Sequence, residues 1–560
     1  MIIIKIIFFP LILLFFFIKN CAKHESTSIS KVWFSVCPKR YCRICSNDNT
    51  NTYSNKKLSK KFKIIAVSFL ALTLIIIAII VFLPKNKDFL STFSSNVNEY
   101  VFDINIDCNN KELTSKQTTK YINKTGNSLN SVKFHVYSNN FSKGAINKPV
   151  SSLYESSAYP NGVSYGTFTL NSVTAKGEKV EYSLEGTDQD ILCVYLNESL
   201  KNGASVTIEM DYTICLPNIN HRYGYGSNTI NLGNFYPIAC VYENGAFLED
   251  RYTTNGDPFY SDMANYEATV NYNTDYTLAC SGSQTKTSTT HDIKTTNIKA
   301  NAMRDFALVL SNKFEVKEET VNGTKILYYY YGDTNPDASL KACIDSINTF
   351  NNMIGKYEYP VLSVCETNFV YGGMEYPSLV MISDNLENHE DYVYTIVHEI
   401  GHQWFYAMVG NNEFNHGWLD EGLTEYITAC FYEQNPVYNK VYKDIIDNAE
   451  KSYMLFVEVY GAVLGEVDTS MNRKLSEFKT DPEYTYLTYV KGMLMFSNLR
   501  SVVGRDKFFK ALQTYFEKYK GKNATPENLI STFEKVTHAR LQGFFDSYLE
   551  GKVKVIELSQ

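Results

Sequence analysis

Five residues, His398-Glu399-Ile400-Gly401-His402, impose the strictest condition on how this chain folds. They lie inside an apolar run from Tyr394 to Val409, whose length and periodicity predict a buried helix. On a helix, His398 and His402 stand one turn apart on one face, so both imidazoles reach a single small cation. Glu399 then leans over a water held beside that cation and takes its proton. A hydrolytic zinc site needs three protein ligands and an open fourth position. With nine histidines in 560 residues a coincidental match of so short a pattern is a real risk, and the third ligand decides it.

That ligand is found downstream. Glu421 follows His402 after eighteen intervening residues, in the setting Trp418-Leu419-Asp420-Glu421-Gly422. Two further stretches carry chemistry: Gly372-Gly373-Met374-Glu375-Tyr376 and Tyr489-Val490-Lys491-Gly492. A loop glutamate such as Glu375 can hold a free ammonium group, because a charge-assisted hydrogen bond is stronger than a neutral one. A phenol such as Tyr489 can donate to a developing oxyanion while itself uncharged at neutral pH. Glu425, one turn after Glu421, is a candidate hydrogen-bond partner for a metal-bound histidine.

On these residues the chain resembles the gluzincin metallopeptidases, specifically the aminopeptidase N-type enzymes, whose pattern is HExxH, eighteen residues, then Glu. The resemblance implies one zinc per chain on His398, His402 and Glu421, with Glu399 as base and Tyr489 as oxyanion stabiliser. It further implies that Glu375 holds the substrate amine, with Gly373 and Met374 beside it. Tyr376 stands where the family's G-x-M-E-N motif has asparagine. Asn255 to Ser261 and Met303 to Ala307 are similar to stretches of the family's β-saddle domain, so the resemblance runs from about residue 100 to the end. The family takes a second polar side chain from that domain to hold the amine, and the sequence does not place it. The chain ends about 70 residues past Tyr489, which predicts a short form without the C-terminal helical domain and with a more open cleft.

Charge and hydropathy divide the chain. Overall it carries 53 Lys plus Arg against 60 Asp plus Glu, yet residues 1–88 hold 14 basic and 3 acidic side chains. Ile64 to Leu83 is an uncharged apolar stretch of 20 residues, enough to span a hydrocarbon core of about 30 Å as a helix. Lysines 56, 57, 60, 61 and 63 precede it, which places residues 1–63 in the cytoplasm and the remainder outside. The apolar stretch at 2–18 reads as a signal-like segment, a second membrane helix or an upstream translation artefact. Eight cysteines lie beyond the span, an even number in a compartment that permits disulfides, with no connectivity legible.

The expected architecture is α+β: a membrane-anchored, two-domain protein with an all-β saddle and a thermolysin-like, mainly helical catalytic domain. Its parts are the basic segment 1–63, a transmembrane helix at 64–83, a polar linker at 84–99, the saddle at 100–313 and the catalytic domain at 314–560. Strictly alternating runs such as Val206 to Ile214 indicate the saddle. Helical periodicity dominates after Asp391. The expected function is a membrane-anchored zinc aminopeptidase acting on peptides with a free N-terminus. Membrane lipid is a partner, and no nucleic acid is. A zinc endopeptidase of the same clan and a non-catalytic membrane receptor or scaffold stay open as alternatives.

Overall fold

A computed structural model of the chain describes residues 89–465 and 467–554. The expected span at 64–83, the stretch at 2–18 and the basic segment between them lie outside the described residues. Among the described residues no helix is long and apolar enough to cross a membrane.

The N-terminal half is β-rich. Its largest sheet has eight strands, with Asn98–Asp107 near the centre, antiparallel to Glu112–Ile122 and parallel to Ala264–Asn273. Alternation in Asn98–Asp107 sends Tyr100, Phe102, Ile104 and Ile106 inward and leaves the residues between them exposed, as a sheet with one wet face requires. The inward rings of Tyr100, Phe102, Tyr266 and Phe306 stack with centroids 5.0–5.7 Å apart, and Tyr236 meets Phe102 edge-on at 5.0 Å. Two four-stranded sheets and a two-stranded hairpin, Tyr242–Glu243 with Ala246–Phe247, complete this half. A polar linker is expected at 84–99, of which residues 84–88 lie outside the described residues. Residues Phe89–Phe93 form a short helix whose Phe89 is buried against Tyr359, and the first strand begins at Asn98. The serines of this stretch are interleaved with phenylalanines that have an apolar surface to cover.

A mixed five-stranded sheet follows, in the order Glu315–Val321, Thr324–Tyr330, Val361–Thr367, Leu379–Ser383, Gly373–Met374. The helices Pro336–Met353 and His389–Gly401 pack beside it, and the remaining helices run from Glu413 to Leu549. The apolar run expected to be helical to Val409 leaves the helix after Gly401. Tyr406 has φ of 123°, which no helix accommodates, and Tyr406 N bonds to Val409 O in a tight turn. Two helical stretches also contain π turns, Trp418–Gly422 and Tyr486–Val490, which rotate the chain beyond regular α geometry.

The described residues form one compact unit, so the β-rich and helical halves share a core. Arg304 joins them: its guanidinium donates to Tyr406 O, Lys522 O and Ser261 O. All eight cysteines among the described residues are free thiols, seven of them buried, so no disulfide adds to this core.

Candidate metal centre and active site

The helix His389–Gly401 begins at an Asn388 cap, whose side chain accepts from Asp391 N, and ends where the site begins. His398 and Glu399 lie on its last turn and His402 caps its C-terminus. Glu421 comes from the π turn Trp418–Gly422, packed alongside. The three ligand atoms converge: His398 Nε2 and His402 Nε2 are 3.1 Å apart, and Glu421 Oε2 lies 3.1 Å from His402 Nε2 and 3.3 Å from His398 Nε2. Zinc bonds of about 2.0–2.2 Å place tetrahedral ligand atoms roughly 3.3–3.5 Å apart, so this donor set fits a zinc ion closely.

The outer imidazole nitrogens are held by carboxylates. His402 Nδ1 is 2.9 Å from Asp420 Oδ1 and 3.1 Å from Phe405 O. His398 Nδ1 lies 2.8 Å from Glu425 Oε2, off the line of an ideal hydrogen bond, while Tyr394 OH donates to the other Glu425 oxygen at 2.6 Å. Protons held on both Nδ1 atoms leave both Nε2 lone pairs turned toward the cation position. Behind Asp420, the Glu413 carboxyl is pushed well up by burial and by Asp420.

The remaining site residues line a cavity of about 290 Å³. Glu399 faces it with Oε2 unpartnered, and burial pushes its carboxyl up. Tyr489 OH donates to Glu421 Oε1 at 2.5 Å, and its ring stacks on that of His398 with centroids 5.9 Å apart. That approach rests on two glycines: a Cβ on Gly422 would meet Gly492 Cα at 2.8 Å, so no larger residue fits where the two π turns cross. Glu375 is 3% exposed with Oε1 unpartnered, and burial, ahead of any neighbouring charge, raises its pKa. Gly373 lies so close to Glu399 that a Cβ there would meet the carboxyl carbon at 2.5 Å. Met374 differs from expectation. Strand alternation turns it away from Gly373 and Glu375 into the core, where it is fully buried, and it does not line the cavity.

The structure adds residues that sequence reasoning missed. Asp257, from the β-rich half, is ion-paired with the buried Arg222 and enters the same cavity. Oxygens of Asp257, Glu375 and Glu421 all lie within 4.8 Å of one another. The available signal was a carboxylate inside the Asn255 to Ser261 stretch, between Gly256 and Pro258. Asp420 was legible only as a neighbour of Glu421.

Two histidines one turn apart, a glutamate from the following helical segment and a buried glutamate beside them form a three-ligand cation site of the arrangement expected for a gluzincin. Residues 339–548 match the peptidase family M1 domain. Zinc is the cofactor that this family implies, and His398, His402 and Glu421 are the three-residue set placed to hold it. The chain is 31% identical over 195 residues to leucine aminopeptidase 2 of Aspergillus fumigatus, covering 33% of this chain and 30% of that protein. It is 26% identical over 235 residues to aminopeptidase M1-B of Oryza sativa subsp. japonica, covering 39% and 26%. The match thus spans about a third or less of these relatives' lengths. In fold, the chain is similar to the crystal structure of an M1 zinc metallopeptidase from Deinococcus radiodurans. There the TM-score is 0.58 at 15% identity, over 82% of this chain and 95% of that one.

Proposed function

We propose that this chain is a zinc aminopeptidase that removes N-terminal residues from peptides. The observation that carries the reading is that the cation ligands, the unpartnered Glu399 and the carboxylates of Glu375 and Asp257 open onto one cavity. An ammonium making N–H···O bonds of about 2.9 Å needs its acceptors roughly 4.7 Å apart, and the Asp257, Glu375 and Glu421 oxygens lie within that reach of each other. Asp257 is therefore the second amine-holding group, kept in place by Arg222. An internal amide brings no charge to this cluster, so the enzyme counts from the N-terminus. A solved mutant of the Deinococcus radiodurans neighbour carries a Tyr-Ser-Ala substrate, which is consistent with a cavity of this kind taking a short free peptide.

When bound by His398, His402 and Glu421, zinc supplies Lewis acidity that polarises the scissile carbonyl and makes a water acidic enough to deprotonate near neutral pH. Glu399 takes that proton and passes it to the leaving amine. Tyr489 OH sits beside the ligand Glu421, where it can donate to the oxygen of the tetrahedral intermediate. Glu425 and Asp420 orient the two imidazoles.

The same reading keeps the chain at a membrane through residues 64–83, with the catalytic part outside. The charge-free stretch and its flanking lysines support this. Alkaline carbonate extraction of full-length chain from membranes should leave it in the pellet, and release into the supernatant would remove the anchor. For the activity itself, hydrolysis of an aminoacyl-arylamide should stop with chelator and return with one equivalent of zinc. Turnover that is indifferent to chelator would overturn the zinc assignment.

A further inference from the structure

Gln403, next to the ligand His402, has no part in the chemistry above, yet it is fully buried and every polar atom of its side chain is engaged. Oε1 accepts from Ser378 N at 2.8 Å, and Nε2 donates to both Glu375 O and Tyr376 O at 3.2 Å. All three bonds go to one short loop, the one that presents Glu375. We infer that Gln403 is a positioning residue that fixes the amine-holding Glu375 at a set distance from the metal ligands, and so sets the register at which the enzyme cuts. The inference rests on the aminopeptidase reading given above.

On the sheet side Ser378 donates from its hydroxyl to Val361 O at 2.6 Å and its carbonyl accepts from Ser363 N at 2.9 Å, so Gln403 is the hydrogen-bonded tie on the metal-helix side. The loop leaves the sheet at Met374 and returns at Leu379, and Ser378 between them adopts φ of 63°, a left-handed conformation that a non-glycine residue occupies only when held. Gln403 captures the backbone N–H of that residue. In the strand just before the loop, Gly373 presses on the side chain of Glu399. Glu399 and Gln403 are four positions apart, so the loop is seated on the metal helix and its terminal turn at two points, one through the base and one through the glutamine. Tyr376, which stands where the family motif has asparagine, is anchored on the β-rich side: its hydroxyl donates to Asn234 Oδ1 at 2.5 Å and its ring fills the space above Gly233. Gln403 is thus the link from this loop to the turn that bears His402. A shift of the loop by about 1 Å would misplace the ammonium relative to the scissile carbonyl, a displacement large enough to cost about a hundredfold in rate.

The test compares substrate selectivity in Gln403→Leu, Glu375→Ala and the double variant of the full chain. The ratio of kcat/KM for a free aminoacyl-arylamide to that for its N-acetyl derivative is the readout, with zinc content measured in parallel. A residue that merely supports the fold would lower both rates alike and leave the ratio unmoved. We expect Gln403→Leu to lower the ratio at least tenfold with one zinc retained, and to add little on top of Glu375→Ala. If Glu375→Ala lowers the ratio but Gln403→Leu does not, the positioning role is wrong and the aminopeptidase reading stands. If Glu375→Ala leaves the ratio unchanged, the amine-holding reading itself fails. Should Gln403→Leu fail to fold, Gln403→Glu gives the same comparison. It keeps the acceptor for Ser378 N–H and sets a carboxylate against two carbonyls, so an unchanged ratio there overturns the inference equally.

Discussion

The two sides of the cavity are built on opposite plans. The zinc side comes from consecutive helical segments, so His398, Glu399, His402 and Glu421 are placed by turn geometry over a short length of chain. The amine side is assembled from a β-rich loop bearing Asp257 and a strand-edge loop bearing Glu375, brought together by the packing of the two halves. Periodicity can encode the first arrangement, whereas the second depends on tertiary register. If the difference is real, variants on the two sides will fail in different ways.

The largest effect is expected from Glu399→Gln, which keeps shape and loses basicity. Turnover should fall by about 10³-fold or more for free and blocked substrates alike, within or above the usual range for a general base, with zinc still bound. Wild-type rates would remove the base assignment. Next comes Glu375→Ala: kcat/KM for free-amine substrates should drop roughly a hundredfold, while metal analysis still finds one zinc per chain. Loss of zinc in that variant would erase the contrast between the two sides. Asp257→Asn keeps a hydrogen-bonding group and gives up the charge, so its loss should be smaller, roughly ten- to thirtyfold and again confined to free amines. An equal loss on N-acetyl substrates would make Asp257 a structural partner of Arg222 and nothing more. The mildest effect on turnover belongs to Glu425→Gln at saturating zinc. Its signature is a weaker metal, about tenfold or more in affinity by competition with a chelator.

The same contrast explains what was legible in the sequence. The convergence of His398, His402 and Glu421 could be read because i, i+4 spacing on a helix and an eighteen-residue interval are properties of the linear chain. Strand positions such as Val206 to Ile214 were legible too, because alternation reports a half-buried face, and the structure has a strand at Ser205–Cys215. The end of the metal helix was not, since the residues after Gly401 are as apolar as those before it. Tertiary packing, including Trp404 Nε1 donating to Gly355 O, overrides their periodicity. Asp257 and Gln403 were hidden for a related reason. Neither has a local pattern, and their partners Arg222 and the 375–378 loop become neighbours only in the folded chain. The phenylalanines at 89 and 93 misled in the opposite direction, because nearby serines gave their segment the texture of a linker.

The central claim is that one cavity joins a zinc hydrolase centre to a carboxylate cluster that requires a free N-terminus. It is tested most directly by identifying, by mass spectrometry, the products that the full-length chain makes from one peptide in free and N-acetylated form. The account predicts stepwise release of single N-terminal residues from the free peptide, no cleavage of the acetylated one, and loss of all products with chelator. Cleavage of the acetylated peptide at internal bonds, at a rate comparable to the free one, would contradict it.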